Sequence, residues 1–189
     1  MFAEFSAWLG ENPGFYACLE EVISRLGRSA TVLCAGKYSV HAALIIREYV
    51  SAPVDVLLTD TEDIPDEILT APGLHFVTAL SGPYTFIYAP LFINTVEKKD
   101  VVPFFLDAYD AMKEKSEAVF TFFDSVAVTP GSLASFPSFY KGKEEIMMKL
   151  YTAQDVVNTV SMIGLKLRAV DRLDIDSPYP GLYVDCLKF

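Results

Sequence analysis

A β–turn–α–β pattern in the first third of the chain constrains its fold more than any other feature. Residues 31–35 form a short apolar run without polar alternation, which is typical of a strand buried on both faces. Residues 36–38 then predict a turn, Ser39 predicts an N-cap, and residues 40–50 predict a helix. Residues 54–58 form a second buried strand. Because such crossovers are right-handed, the two strands are predicted to be parallel.

The rest of the chain continues the α/β pattern and ends differently. Hydrophobic and polar residues alternate at 163–170 and again at 182–186, which is typical of an antiparallel pair with one wetter face. We therefore predict a three-layer α/β fold with a mainly parallel sheet flanked by helices, Rossmann- or flavodoxin-like, with an antiparallel C-terminal hairpin. The other predicted elements are strands at 75–80, 86–93, 119–123 and 126–128, helices at 65–70, 103–115 and 143–162, and a loop at 129–140.

The length of 189 residues suits one domain that buries roughly two-thirds of its unfolded surface. No linker or internal repeat divides the chain. The predicted parts of this single domain, 1–189, are N-terminal helices at 1–28, an α/β core at 30–128, a loop and helices at 129–162, and antiparallel strands at 163–189.

The net charge of −10, from 15 Lys and Arg against 25 Asp and Glu, argues against general binding to nucleic acid or to an anionic membrane surface. The longest apolar stretch, residues 80–93, is interrupted by glycine and proline and is shorter than the ~20 residues that a membrane-spanning helix needs. The N-terminal residues do not resemble a secretory signal, so a cytoplasmic location is expected. Three scattered cysteines and two histidines predict neither a metal site nor disulfides, and no cofactor is indicated.

Two loops are candidates for binding a small anion. Ligands of open parallel sheets lie at the carboxyl ends of the strands, and a helix N-terminus there favours an anion. Each loop combines a glycine with hydroxyl groups, and one adds a lysine, which suits an anion held by local donors. The residues are Gly36, Lys37 and Ser39 in the first loop and Ser81, Gly82 and Thr85 in the second.

The first loop lies in a stretch that resembles a known family. Residues 33–43 read LCAGKYSVHAA, residues 52–56 read APVDV, and Thr61 and Glu62 follow. This stretch resembles the opening of SIS (sugar isomerase) domains, and the second loop resembles their phosphate loop. The resemblance covers residues 30–86 and implies a phosphosugar ligand, with Ser39, Ser81 and Thr85 on its phosphate.

The resemblance also implies candidate catalytic residues. Glu62 stands at the position of the family's acidic residue, and aldose–ketose isomerisation needs a base that moves a proton between adjacent sugar carbons. His41 is a candidate for assisting ring opening. The function expected is a phosphosugar-binding domain that is either a sugar-phosphate isomerase or a degenerate sensor. A non-enzymatic interaction or assembly protein, and an unrelated Rossmann-like protein that binds another anion, are the alternatives.

The aromatic residues predict a further property. Many of the 24 Phe and Tyr residues cluster between 84 and 140, where core packing accounts for them most simply. Because aromatic residues are enriched at the centres of interfaces, and because the resembled family pairs its domains, we also expect a homodimer.

Overall fold

The computed structural model describes residues 13–36, 38–58, 64–126, 138–141, 144–174 and 181–189. Expectations for residues 1–12, 59–63 and 127–137 lie outside this range, and these include all but the first residue of the strand predicted at 126–128. The helices are α1 Pro13–Arg25, α2 Ser39–Ile46, α3 Asp66–Leu69, α4 Phe92–Thr95, α5 Lys98–Ala111 and α6 Ala153–Met162. The strands are β1 Val32–Ala35, β2 Val54–Leu57, β3 Leu74–Val77, β4 Tyr84–Pro90, β5 Met112–Phe123, β6 Ser138–Lys141, β7 Glu144–Met147, β8 Lys166–Leu173 and β9 Gly181–Lys188.

The main sheet has seven strands in the order β3-β2-β1-β4-β5-β9-β8. Strands β3, β2, β1, β4 and β5 are parallel to one another. Strand β9 is antiparallel to β5 and to β8. The mainly parallel sheet, the adjacency of the first three strands and the antiparallel C-terminal hairpin are therefore confirmed.

Two apolar cores lie on opposite faces of this sheet. Helices α1 and α2 bury their apolar residues on one face, with α3 at its margin, and helices α4, α5 and α6 bury theirs on the other. The residues of β1 contribute alternately to the two cores, with Val32 and Cys34 on one face and Leu33 and Ala35 on the other. This coverage explains the continuous apolar run that marks β1 in the sequence.

The boundaries differ from the prediction at the end of α5. The helix ends at Ala111, so Lys113 and Lys115, which the predicted helix at 103–115 would place in its last turn, belong to β5. The cation at this helix end comes instead from β9, where Lys188 Nζ donates to the carbonyl oxygens of Tyr109, at 2.7 Å, and Met112, at 3.0 Å. The positive charge that stabilises the C-terminus of α5 therefore comes from a residue distant in sequence and not from the last turn of the helix.

The helices predicted at 143–162 are only partly present. Residues 153–162 form α6, which begins with a capping box between Thr152 and Asp155. Residues 144–147 are instead strand β7, paired with β6 in a separate two-stranded sheet. Cross-strand pairing here outweighs the helix propensity of the sequence.

The connection between β3 and β4 has no helix. Parallel strands are usually joined through a crossover of a dozen or more residues that contains a helix, but only residues 78–83 link Val77 to Tyr84. Because β4 is parallel to β1, this segment runs from the carboxyl edge of the sheet to its amino edge. In the part of the chain that the structure describes, no helix is long and apolar enough to cross a membrane.

Candidate functional site

The turn after β1 is packed tightly against the ends of two neighbouring strands. The Gly36 N–H donates to the Leu57 carbonyl at the end of β2, at 3.3 Å. The φ of Gly36 is 117°, and a Cβ there would overlap the Pro90 carbonyl oxygen and lie 3.0 Å from the Phe92 nitrogen. This position therefore requires glycine.

Ser39 lies immediately behind this turn. It is the first residue of α2 and is completely buried, and its Oγ has no hydrogen-bond partner among the described residues. The N-cap is Tyr38, so the predicted capping role of Ser39 is wrong. An unsatisfied buried hydroxyl costs about 1–3 kcal/mol. At the N-terminus of a helix, this hydroxyl and the helix dipole both favour a bound negative group.

A second buried hydroxyl lies at the same edge, after β5. Asp124 follows the last residue of β5 and forms an isolated parallel bridge with Tyr151. Both residues are buried, and the Tyr151 hydroxyl has no partner within the described ranges. Burial, reinforced by the negative charge of Glu97, raises the pKa of Tyr151 to about 12, so the hydroxyl keeps its proton at neutral pH.

The carboxyl edge thus combines three features. A glycine turn and a helix N-terminus follow β1, an aspartate and a tyrosine follow β5, and the end of β4 lies between them. Leu91, at φ 54°, turns the chain sharply there and directs it into α4. Ligands of open α/β sheets bind in this crevice, where the connections diverge to opposite faces.

The other residues predicted for the first loop have different positions. His41 lies within α2, only 2% exposed, and its ring contacts the edge of Tyr38 with centroids 6.3 Å apart. Lys37 and Glu62 lie outside the described residues. The catalytic roles of Glu62 and His41 stay untested predictions.

The second loop lies at the opposite edge of the sheet. Thr85, next to the start of β4, uses its hydroxyl to accept from the Thr31 N–H at 2.9 Å and to donate to the Thr31 carbonyl at 3.2 Å. Thr31 directly precedes β1, so this contact joins the two strands at the amino edge. Ser81 and Gly82 belong to the segment that leads there. The expectation that the two loops meet at one edge is wrong, because the connection from β3 crosses the sheet before β4 begins.

The amino edge has its own polar contacts. Asp55 accepts a hydrogen bond from the Tyr84 hydroxyl at 2.6 Å, and its other oxygen lies 2.9 Å from His75 Nδ1. Burial, together with the hydrogen bond to Asp55, raises the pKa of Tyr84. These contacts join the starts of β2, β3 and β4.

No family model matches the chain, and no curated protein matches it by sequence. Solved structures do match over nearly the whole chain. An S-adenosylmethionine-dependent methyltransferase from Mesorhizobium loti is similar with a TM-score of 0.66 and 13% identity, covering 92% of this chain and 97% of that one.

Two further similar structures were solved with S-adenosylhomocysteine bound. The 1,6-didemethyltoxoflavin-N1-methyltransferase of Burkholderia thailandensis has a TM-score of 0.67 at 12% identity, covering 99% and 83% of the two chains. The magnesium protoporphyrin IX methyltransferase of Synechocystis has a TM-score of 0.66 at 10% identity, covering 93% and 84%. At these identities the likeness shows the fold alone: the chain has the fold of S-adenosylmethionine-dependent methyltransferases.

These comparisons overturn the resemblance to SIS domains. The similar structures are methyltransferases, so the expectations of a phosphosugar-binding isomerase and of a sugar phosphate as partner are wrong, and an assembly protein finds no support. A strand, a glycine turn and a helix followed by a second strand are common to both folds, and the SIS resemblance rested largely on that shared unit. The homodimer stays a prediction.

Sequence reasoning missed the residues after β5. Asp124 directly follows the apolar run of β5, and a polar residue at the carboxyl end of a parallel strand is a signal that was available. Tyr151 carries no such signal, because only the bridge to Asp124 brings it to this edge.

Proposed function

We propose that this protein is an S-adenosylmethionine-dependent methyltransferase whose cofactor binds at the carboxyl edge of β1. The observation that supports this most directly is Ser39, a buried hydroxyl without a partner in the described ranges, placed behind the glycine turn of a methyltransferase fold. When bound, S-adenosylmethionine supplies a methyl group activated by the positive sulfonium. This differs from the sequence-based expectation that no cofactor is used.

The residues present fit the amino-acid part of such a cofactor. Its carboxylate is the kind of anion that the N-terminus of α2 favours, and the Ser39 hydroxyl supplies a donor there. The turn has a single glycine, Gly36, where dinucleotide-binding folds have several. Affinity therefore depends largely on Ser39 and on the backbone of α2.

The ribose would be held by the acidic residues that follow β2 in the sequence. Folds of this type hydrogen-bond a ribose hydroxyl with a carboxylate about 20 residues after the glycine turn. Asp60 and Glu62 stand 24 and 26 residues after Gly36 in the sequence. We propose this binding role for Glu62 in place of the isomerase base.

The methyl acceptor would bind on the β5 side of the same edge. The Tyr151 hydroxyl, which stays protonated, would donate a hydrogen bond that orients the acceptor. Asp124 holds the turn after β5 by accepting a hydrogen bond from the Val126 N–H at 3.0 Å. Because Tyr151 forms its bridge with Asp124, this turn also helps to position Tyr151.

The test is titration of the purified chain with S-adenosylhomocysteine in a calorimeter. We expect one molecule to bind per chain, and a ligand at a hundred times its dissociation constant would stabilise the fold by about 2.7 kcal/mol. Ser39→Ala should weaken binding about tenfold, which corresponds to a hydrogen bond to a charged group. The same substitution should leave the free protein as stable or more stable, because it removes an unsatisfied hydroxyl.

Ser116→Ala is the matched control. Ser116 is also buried, but its Oγ donates to the Lys113 carbonyl. Its substitution should reduce stability by about 1 kcal/mol and leave the affinity for S-adenosylhomocysteine unchanged. Absence of binding at millimolar concentration by a folded protein would reject the proposed function.

A further inference from the structure

An open groove lies along α5, beside the connection between β3 and β4 that contains no helix. Its cavity volume is about 640 Å³, within the range of sites for small organic molecules. One wall is the segment 78–81 with Leu57 at the end of β2, and the other is α5 with Phe92 and Val96 before it. The groove exists because residues 78–83 cross the sheet without forming a helix, where a crossover helix would normally cover it.

The segment 78–83 is packed against α5 where it reaches the amino edge of the sheet. A Cβ on Gly82 would overlap the Ala111 carbonyl oxygen, so the segment lies directly against the last residue of α5. Gly82 also has a φ of 40°, which further favours glycine. The groove is therefore bounded by backbone at this end and does not depend on a side-chain rotamer.

The walls of the groove differ sharply in polarity. Its floor is apolar and includes Phe92 stacked on Phe104, with ring centroids 3.6 Å apart. Along α5 the lining carries three aspartates, Asp100, Asp107 and Asp110, all of them exposed. None of the described lining residues is basic, and no ion pair to these three aspartates is present in the described ranges.

The negative charges of two of these carboxylates destabilise α5 when no ligand is bound. Asp110 lies in the last turn of α5, where the helix dipole disfavours negative charge, and this turn has no basic residue of its own. The cation at this end, Lys188, donates to the carbonyls of Tyr109 and Met112. Like charges three residues apart, at Asp107 and Asp110, repel each other as well.

The spacing of the carboxylates indicates an elongated cation. At a rise of 1.5 Å per residue, Asp100 lies about 10 Å along the helix from Asp107, and Asp107 about 4.5 Å from Asp110. One metal ion cannot contact carboxylates so far apart, and the described residues include no group of three or more metal-ligating side chains. A chain with positive charges separated by apolar segments matches both the acidic helix and the apolar floor.

We propose that this groove binds an aliphatic polyamine, a flexible chain of methylene segments between protonated amines. Its ammonium groups would pair with Asp100, Asp107 and Asp110, and its methylenes would cover the apolar floor beside Val96. The groove adjoins the turn of the proposed cofactor site, because Leu57 and Phe92, which line it, also contact Gly36. The polyamine proposal itself rests on the α5 aspartates and uses neither Ser39 nor the N-terminus of α2.

Calorimetric titration of the full chain with spermidine, at a constant ionic strength of about 0.15 M, tests the proposal. We expect one molecule to bind per chain, more tightly than Mg²⁺ at the same ionic strength. The double variant Asp107→Asn/Asp110→Asn should weaken spermidine binding about tenfold without loss of thermal stability. Val96→Thr, which keeps the shape and adds a hydroxyl, should weaken binding about threefold.

The control is Glu67→Gln/Glu114→Gln, which removes the same charge from exposed positions outside the groove. Equal weakening by this control would mean that spermidine follows only the net charge of the chain, and would overturn the proposal. So would equal affinity for Mg²⁺, or tighter binding of a tetralysine peptide with the same dependence on the aspartates. A parallel titration with S-adenosylhomocysteine distinguishes failure of this proposal from failure of the proposed function, because each ligand is measured by itself.

Discussion

The parallel and antiparallel halves of the sheet differ in how far their buried polar side chains are paired with one another. In the parallel half, the Ser39 hydroxyl is buried without a partner in the described ranges, behind a glycine turn pressed against β4. In the antiparallel half, two buried or half-buried carboxylates, Asp185 and Glu117, face two guanidinium groups. The first arrangement leaves a hydroxyl for a ligand, and the second uses most of its polar atoms to hold the fold together, although Arg25 Nε and Asp185 Oδ1 also have no hydrogen-bond partner in the described ranges.

The charged cluster of the antiparallel half links four elements. Arg25 of α1 contacts Asp185 of β9 at 2.7 Å and Glu117 of β5 at 2.8 Å. Arg168 of β8 donates through Nη1 and Nη2 to both oxygens of Glu117, at 3.0 and 2.9 Å, and through Nε to Asp185 at 3.0 Å. The bidentate geometry fixes the orientation of these strands relative to α1.

The largest effect is expected from Asp185→Ala. Asp185 is 1% exposed, and its loss leaves Arg25 and Arg168 with Glu117 as their shared acidic partner. Removing one partner of a buried ion pair costs about 3–5 kcal/mol, so chemical denaturation should show a loss of this size. The control is Asp171→Ala, an exposed position on β8, which should change stability by less than about 0.5 kcal/mol. Equal losses for both variants would contradict the buried role of Asp185.

The next largest effect is expected in the parallel half, from Gly36→Ala. The new Cβ would overlap the Pro90 carbonyl at a φ that alanine rarely adopts, and we expect a loss of about 2 kcal/mol in denaturant unfolding. Gly27→Ala is the matched control, because nothing lies within 4 Å of a Cβ there. A Gly36→Ala protein as stable as the Gly27→Ala protein would show that the turn is not packed against β4.

The smallest expected effect is a pH dependence from Glu117. Burial, followed by the negative charge of Asp185, raises the pKa of Glu117 above its ordinary value of 4.5, and the two arginines only partly oppose this. The folded state therefore binds the proton more tightly than the unfolded state. The contribution of Glu117 to stability is greatest below its ordinary pKa and decreases as pH rises through the raised pKa.

Glu117→Gln should remove this decrease. Unfolding free energies of the wild type and the variant, measured across the acidic range, should differ in slope over that interval. Glu114→Gln, at an exposed position on the same strand, should keep the wild-type slope. Parallel curves for wild type and Glu117→Gln would contradict a raised pKa.

The elements marked by local patterns could be predicted from the sequence. Strand β1 is a continuous apolar run, β2 is apolar apart from Asp55, and the sequences of β8 and β9 alternate with period two, so both halves of the sheet were identifiable. The burial does not follow that alternation, because β8 is an exposed edge strand and β9 is largely buried between β5 and β8. The β7 strand and the end of α5 were not, because pairing with β6 and the contact from Lys188 come from residues distant in sequence.

The candidate site was predictable only where it follows a strand directly. Gly36 and Ser39 follow β1 at the carboxyl edge as expected, because the chain has just left a strand of known direction. Ser81 and Thr85 were placed at the wrong edge, because the sequence does not show that residues 78–83 cross the sheet without a helix. Tyr151 reaches the edge only through its bridge to Asp124.

The sequence by itself determined the periodicities, and with them the α/β class, the parallel first strands and the antiparallel end. These signals are local, because the buried side of a strand or helix recurs at a fixed spacing along the chain. Only the tertiary structure decided the strand order, which places β4 beside β1 and the end of the 78–83 connection at the amino edge. Strand order depends on which apolar faces pack together across the whole domain, and a linear pattern of residues does not specify that choice.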